Sequence, residues 1–261
     1  MTPGRYGRAD ASMISLGLGR LPMILMYHSV ADVPKDPSHL SVSPSRFAEQ
    51  MAVLQRLGLR GVSMGALVDA MRAGRARRLV GITFDDGYRN VLEAALPELK
   101  RRGFTATVFI IAGRLGGTNE WAKGPSFPLL SGGEVCELAD AGMEIGSHSM
   151  THTRLAGQQA SQLEDEVSGS RASLGELSGA PVRGFCYPYG SMDPAARRAV
   201  EDAGYEYACA VETPMAKIGI MALPRVYVGQ QDWAGRMAAK RLLYRGYIAH
   251  ESIRAQRSGA S

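Results

Sequence analysis

The chain has 261 residues, 45% of them apolar and 21% charged, with 31 glycines and 13 prolines. That is the make-up of a globular protein with a sizeable core and excludes a disordered or collagen-like chain. The longest apolar runs, such as 23–27 and 108–112, fall far short of the ~20 residues of a membrane-spanning helix. Three cysteines (Cys136, Cys186, Cys209) with no Cys-x-x-Cys spacing signal neither a disulfide framework nor a cysteine zinc site. The net charge of +5 is scattered. Its one dense run, 72–78, has no interleaved aromatic residues and reads as a solvated loop, so no nucleic-acid partner is expected.

Residues 1–20 carry arginines but neither a continuous apolar stretch nor an Ala-x-Ala cleavage pattern. They read as an N-terminal extension without a secretory signal. The location expected is cytoplasmic, with the inner membrane face as an alternative. Residues 21–27 read as a buried strand. A helix is predicted over 44–57, where Phe47, Met51, Leu54 and Leu57 recur three or four apart. Strands follow at 58–64 and 79–84, the second stopped by Asp85-Asp86-Gly87. A helix is predicted over 90–102 and a β-branched, aromatic strand over 105–111. The long loop 113–130 precedes a helix at 131–141, with Ser131 as N-cap and Gly142 past its end. Next come a short strand at 144–147, a long helix at 158–177, a strand at 182–187, a helix at 194–203 and strands at 207–211 and 222–228. A last helix is predicted over 232–244, and 251–261 read as a frayed tail. The body, 21–250, is expected to be a single domain.

Strands of four to seven residues alternating with helices predict βα units on a parallel sheet. Seven or eight such units with near-continuous apolar strands favour a closed or nearly closed barrel over an open doubly wound sheet. In a barrel, chemistry gathers at the C-terminal strand ends, and there the polar residues fall. His28 follows the first strand, Asp85-Asp86 the third, His148 and His152 the strand at 144–147, and Pro188-Tyr189-Gly190 the strand at 182–187. Arg225 lies in the last strand. His39 and His250 read as solvated. His148 and His152 would stand ~13 Å apart on an extended strand, so sharing an ion requires the chain to curl, as in a helical turn. Asp-Asp-Gly is also ordinary turn chemistry. With two imidazoles at another strand end, however, one carboxylate completes a three-ligand set that leaves a metal open to water. The spare carboxylate is then free to act as a base.

Thr83-Phe84-Asp85-Asp86-Gly87 and His148-Ser149-Met150-Thr151-His152 resemble the first two motifs of the polysaccharide deacetylases, carbohydrate esterase family 4 with its NodB-type homology domain, and the likeness runs from about residue 24 to 228. The resemblance implies a distorted (β/α)7 barrel as the catalytic domain. It also implies metal-dependent removal of N-acetyl, sometimes O-acetyl, groups from an amino-sugar glycan or sugar-containing precursor. It makes Asp85 the general base and Asp86, His148 and His152 the ligands of a divalent metal, zinc first, with cobalt, nickel or iron as alternatives. It assigns the backbone N–H of Tyr189 to the oxyanion. Cys186 stands where the family's third motif carries an arginine that steadies the base; Arg225 is the first substitute and Arg183 the second. The family's late acid histidine is missing too. Met26-Tyr27-His28 resembles the subgroup acting on poly-β-1,6-N-acetylglucosamine, whose acid histidine precedes the Asp-Asp pair, which makes His28 the general acid. Pro188, Tyr189, Asn119 and Trp121 are expected to contact sugar. The rival readings are a hydrolase of non-sugar amides such as cyclic ureides, a degenerate glycan-binding domain, and a basic membrane-surface or nucleic-acid binder.

Overall fold

The structure is a computed structural model that describes residues 21–122, 124–211 and 219–244. The N-terminal extension, His250 and the C-terminal tail lie outside the described residues. Parallel strands in the order β10-β9-β8-β7-β6-β5-β1-β11 form the central sheet. They are β1 (Ile24–Tyr27), β5 (Leu79–Phe84), β6 (Thr107–Ile110), β7 (Glu144–Ser147), β8 (Gly184–Cys186), β9 (Tyr207–Ala210), β10 (Leu223–Pro224) and β11 (Val226–Tyr227); β4 (Arg60–Val62) pairs with the first half of β5. A two-residue pair, β2 (Ser29–Val30) with β3 (Ser41–Val42), sits beyond the end of β1. The helices are α1 (Pro44–Arg56), α2 (Met64–Arg72), α3 (Leu96–Arg101), α4 (Gly132–Asp140), α5 (Ala160–Glu164), α6 (Ser170–Ser178) and α7 (Pro194–Asp202); residues 234–244 are helical as well.

The sheet closes on itself through one residue. The stretch expected as a single strand over 222–228 is split. Leu223 and Pro224 pair with β9, and Val226 and Tyr227 pair with β1. Pro224 has no N–H to extend a ladder, so the chain changes partners there. Arg225, between the two halves, is carried to the inner wall with its side chain fully buried. This seam turns an open sheet into the distorted barrel.

Other elements follow local chemistry. Ser43, Ser63, Ser131 and Asp193 cap their helices by accepting N–H groups three residues on, and Ser131 with Glu134 forms a full capping box. The helix expected over 90–102 opens as a π-turn, Val91–Ala95, where Leu96 N–H reaches back to Val91. Pro97, one residue on, has no N–H to give, which favours the wider turn. The helix expected over 158–177 likewise carries a π-segment, Asp165–Gly169, between α5 and α6.

Large aromatics fill the barrel where the neighbouring strand has no side chain. Phe109 lies over Gly146 and Tyr207 over Gly184, each pair in register across the sheet. A Cβ on Gly184 falls inside the Tyr207 ring, whose hydroxyl is fixed by a 2.9 Å bond to Glu144. We expect Gly184→Ala to lower stability by about 1–3 kcal/mol through overpacking, read as a Tm drop of roughly 2–10 °C by calorimetry.

Candidate active site

The residues singled out at strand ends meet at the C-terminal rim. After β5 the chain turns sharply at Asp86 (φ 71°) and Gly87 (φ 73°). The turn sends Asp85 and Asp86 to different neighbours. Asp86 Oδ1 lies 3.4 Å from His148 Nε2 and 3.3 Å from His152 Nε2. The two histidines do not share a helical turn as expected. The loop after β7 folds back through two left-handed residues, Ser149 (φ 67°) and His152 (φ 68°). Ser149 Oγ accepts the His152 N–H at 3.0 Å, and the Glu166 carboxylate accepts the N–H groups of Met150 (3.0 Å) and Thr151 (2.9 Å). Left-handed non-glycine residues store about 1–3 kcal/mol each and persist where surrounding contacts force them. Asp86, Ser149, His152 and Tyr189 (φ 57°) all do so here.

Glu166 is a site residue that the motif reading missed. It lies on the π-segment and is buried. Its signal was the spacing Leu163, Glu166, Ser170, Leu174, which places a carboxylate on the buried stripe of an amphipathic helix.

The ligand set fits a divalent cation. Cys186 C=O lies 2.8 Å from His148 Nδ1 and the Tyr189 hydroxyl 3.1 Å from His152 Nδ1. Burial lowers the His148 pKa, but Cys186 and the bond to Asp86 outweigh this and raise it well above its ordinary value, so without a metal Nε2 carries a proton toward Asp86 while the Cys186 carbonyl takes the one on Nδ1; a divalent metal would replace the Nε2 proton. A carboxylate oxygen and a bare imidazole nitrogen facing each other repel unless a cation or proton lies between them. Burial, reinforced by the charge of His148, lowers the His152 pKa to about 4, so its ring stays neutral and available to a metal. Burial pushes the Asp86 carboxyl up, but its bond to His148 and the surrounding imidazoles outweigh this and hold it down.

Asp85 is outside this trio. Arg225 grips it through two parallel bonds, Nη1–Oδ1 at 2.6 Å and Nη2–Oδ2 at 2.7 Å. The guanidinium also meets Thr83 Oγ1 at 3.1 Å and Cys186 Sγ at 3.0 Å, and lies over the Phe109 ring. Burial raises the Asp85 carboxyl, yet Arg225 more than reverses this and holds it well below the usual carboxylate range. Of the two arginines considered as partners of Asp85, Arg225 is therefore the one the structure puts there. Arg183 instead binds Glu206 (2.8 Å) and Asp69 (2.7 Å). Cys186, small and buried, leaves room for the guanidinium arriving from the seam.

His28 Nε2 stands 3.9 Å from Asp85 Oδ2, and its Nδ1 is buried with no hydrogen-bond partner among the described residues. Trp121 and Tyr189 flank His152, with ring centroids 4.7 and 4.6 Å away. Tyr189 is half exposed and Pro188 is buried. Asn119 is placed differently from the expectation. Its amide is buried and bonded to Phe127 N–H (2.7 Å) and Pro125 C=O (3.2 Å), so it shapes the 113–130 loop that carries Trp121 and presents no surface to a sugar.

A barrel rim that gathers a carboxylate and two imidazoles beside a separate, arginine-held carboxylate is the plan of a metal-assisted hydrolase. The polysaccharide deacetylase family model matches residues 72–208. YxkH of Bacillus subtilis (strain 168), a protein assigned by name to that family, is 29% identical over 213 residues, covering 80% of this chain and 71% of that one. IcaB from Ammonifex degensii superimposes with a TM-score of 0.70 at 27% identity, over 82% of this chain and 96% of that one. The Escherichia coli (strain K12) poly-beta-1,6-N-acetyl-D-glucosamine N-deacetylase is 33% identical over 78 residues, 29% of this chain and 12% of that protein. The chain belongs to the polysaccharide deacetylase family and is a carbohydrate N-deacetylase, a hydrolase of carbon–nitrogen bonds other than peptide bonds. Among the described residues, no helix is long and apolar enough to cross a membrane.

Proposed function

We propose that the chain removes the acetyl group from N-acetylglucosamine residues of a β-linked glycan, with zinc held by Asp86, His148 and His152, Asp85 as general base and His28 as general acid. The observation that carries this reading is the unligated, arginine-held Asp85 beside the Asp86–His148–His152 trio. A divalent cation on that trio supplies Lewis acidity, polarising the acetyl carbonyl and lowering the pKa of water. Asp85, kept ionised by Arg225, takes the proton of the attacking water. His28, in its imidazolium form, gives one proton to the departing amine, so amide and water become acetate and free amino sugar. The N–H of Tyr189, at the strained tip of Pro188–Gly190, is the donor to the developing oxyanion, a contribution commonly worth about 10²–10³ in rate. Trp121 and the exposed Tyr189 form the wall against which the sugar lies.

Two grounds for a degenerate site, Cys186 in place of an arginine and the absent late histidine, lose their force when Arg225 holds Asp85 and His28 faces it. The test is metal analysis of the purified chain together with acetate release from β-1,4- and β-1,6-linked N-acetylglucosamine oligomers. Stoichiometric divalent metal and acetate release support the reading; a metal-loaded chain that releases no acetate overturns it. For His28 we expect His28→Phe to lower turnover about 10²–10⁴-fold with metal content unchanged, and unchanged turnover rejects the assignment.

A further inference from the structure

The basic run 72–78, which reads from the sequence as a solvated loop, leads into β5. It therefore lies at the N-terminal end of the sheet, roughly 20 Å along the strand from Asp85. The fold brings a second basic segment to it. Arg56 ends α1, and Arg60 opens β4, the partner of β5. The Arg60 N–H donates to the Arg78 C=O at 2.9 Å, and the Arg78 guanidinium leans over Gly58, 3.8 Å from where a Cβ would stand. Arg56, Arg60, Arg75, Arg77 and Arg78 are all exposed, and none has an ion-pair partner among the described residues. The neighbouring carboxylates are already taken. Arg183 and Arg72 hold Glu206, Arg183 also holds Asp69, and Arg101 and Arg102 hold Glu98.

Apolar side chains share this end of the barrel. Leu57, next to Arg56, is 47% exposed, and Leu242 and Leu243 are 73% and 70% exposed. The last two sit on helix 234–244. That helix starts beside α1, where Ala234 N–H donates to Glu49 at 3.2 Å, and ends where the Tyr244 hydroxyl donates to Pro22 C=O at 3.0 Å. Pro22 leads into β1, the neighbour of β5, so this helix, like α1, ends at the foot of the barrel. A lone exposed leucine is ordinary; leucines grouped with uncompensated arginines mark an interaction surface. The mixture discriminates among partners. A second copy would bring the same charge against itself. A nucleic acid offers phosphates to arginine, but its unpaired bases need stacking aromatics, and the exposed Tyr189, Tyr227 and Trp233 all lie toward the catalytic rim. An anionic bilayer uses both features: guanidinium forks pair with lipid phosphates, and the leucines enter the headgroup layer.

We propose that the foot of the barrel is a docking surface for an anionic lipid bilayer, with the arginines of 56–60 and 75–78 on the headgroup phosphates and Leu57, Leu242 and Leu243 between them. Docked this way, the chain turns its catalytic rim away from the bilayer and leaves it open to a polymer. The test is co-sedimentation of the full chain with vesicles of equimolar phosphatidylcholine and phosphatidylglycerol, against vesicles of phosphatidylcholine alone. Binding should require the anionic lipid and should fall as salt is raised from about 0.1 M to about 1 M, where screening shortens from about 10 Å to about 3 Å. The double variant Arg77→Gln, Arg78→Gln should weaken binding roughly 25-fold, at about fivefold for each basic residue near an anionic surface. Leu242→Ser with Leu243→Ser should weaken it roughly tenfold through lost apolar burial. Both double variants should keep the wild-type Tm, since these side chains are exposed. Equal binding to the two kinds of vesicle, or unchanged binding in the arginine variant, overturns the proposal. So does tighter binding to duplex DNA than to the anionic vesicles, or a leucine variant that turns a dimer into a monomer while still binding vesicles as the wild type does. Binding is read without turnover, so the outcome is independent of whether acetate is released.

Discussion

Replacing Asp85 with asparagine is expected to reduce deacetylation about 10²–10⁴-fold, the usual contribution of a positioned general base, while the chain keeps its full complement of metal. The asparagine side chain has the same shape and can still accept one N–H from Arg225, but it cannot take a proton from water. The groups proposed to hold the cation, Asp86, His148 and His152, converge on Asp86 Oδ1, while both oxygens of Asp85 are taken by Arg225, so metal analysis should match the wild type. His148→Ala is the contrast: it removes a ligand and should lose both metal and activity. The pair of measurements separates base from ligand. Full activity in Asp85→Asn would falsify the base assignment, and loss of metal in that variant would show that Asp85 belongs to the ligand set. The substitution also leaves the Arg225 guanidinium buried without its counter-charge, so a fall in Tm is expected and is measured alongside.

Much of this arrangement was legible because it depends on spacing. The strands Leu79–Phe84 and Glu144–Ser147 end where the apolar runs end, and Asp85-Asp86 and His148/His152 follow from those ends. What escaped depends on contacts distant in sequence. The split at Arg225 requires β9 and β1 to compete for one strand, which no local pattern encodes. The fold-back of 148–152 is held by Glu166, more than a dozen residues later, so the sequence suggested the nearer helical turn. Helix α2 has its Ser63 cap and a Met64, Leu67, Val68, Met71 stripe, but nine residues are too few for periodicity to stand out. Asn119 read as a sugar contact because it sits in a long loop; only the fold shows its amide consumed by Phe127 and Pro125.

Replacing Arg225 with methionine should produce an enzyme with its acid limb displaced to higher pH. Two opposing influences act on Asp85 in the wild type. Burial favours the neutral acid, and the guanidinium favours the carboxylate and wins. Without Arg225, burial is opposed only by the weaker pull of His148 and His28, and a buried carboxyl can then rise by up to about 3–5 units. The base is then protonated at neutral pH, with activity falling about tenfold for each unit by which its pKa exceeds the pH, and activity should recover as pH rises. Stability must follow the same linkage with the opposite sign from the wild type. A depressed folded-state pKa gives stability that is present above the unfolded value and lost as pH falls through the folded one. A raised pKa makes the folded state bind the extra proton, so the variant loses stability as pH climbs from the unfolded value toward the folded one. Breaking a buried pair by removing one partner commonly costs about 3–5 kcal/mol, and protonation of Asp85 relieves part of that at low pH. The Tm gap between variant and wild type should therefore widen from pH 5 to pH 8, while the pH–rate profile shifts upward. A uniform loss of activity at every pH, with a constant Tm gap, would mean that Arg225 only packs the seam and does not set the ionisation of Asp85.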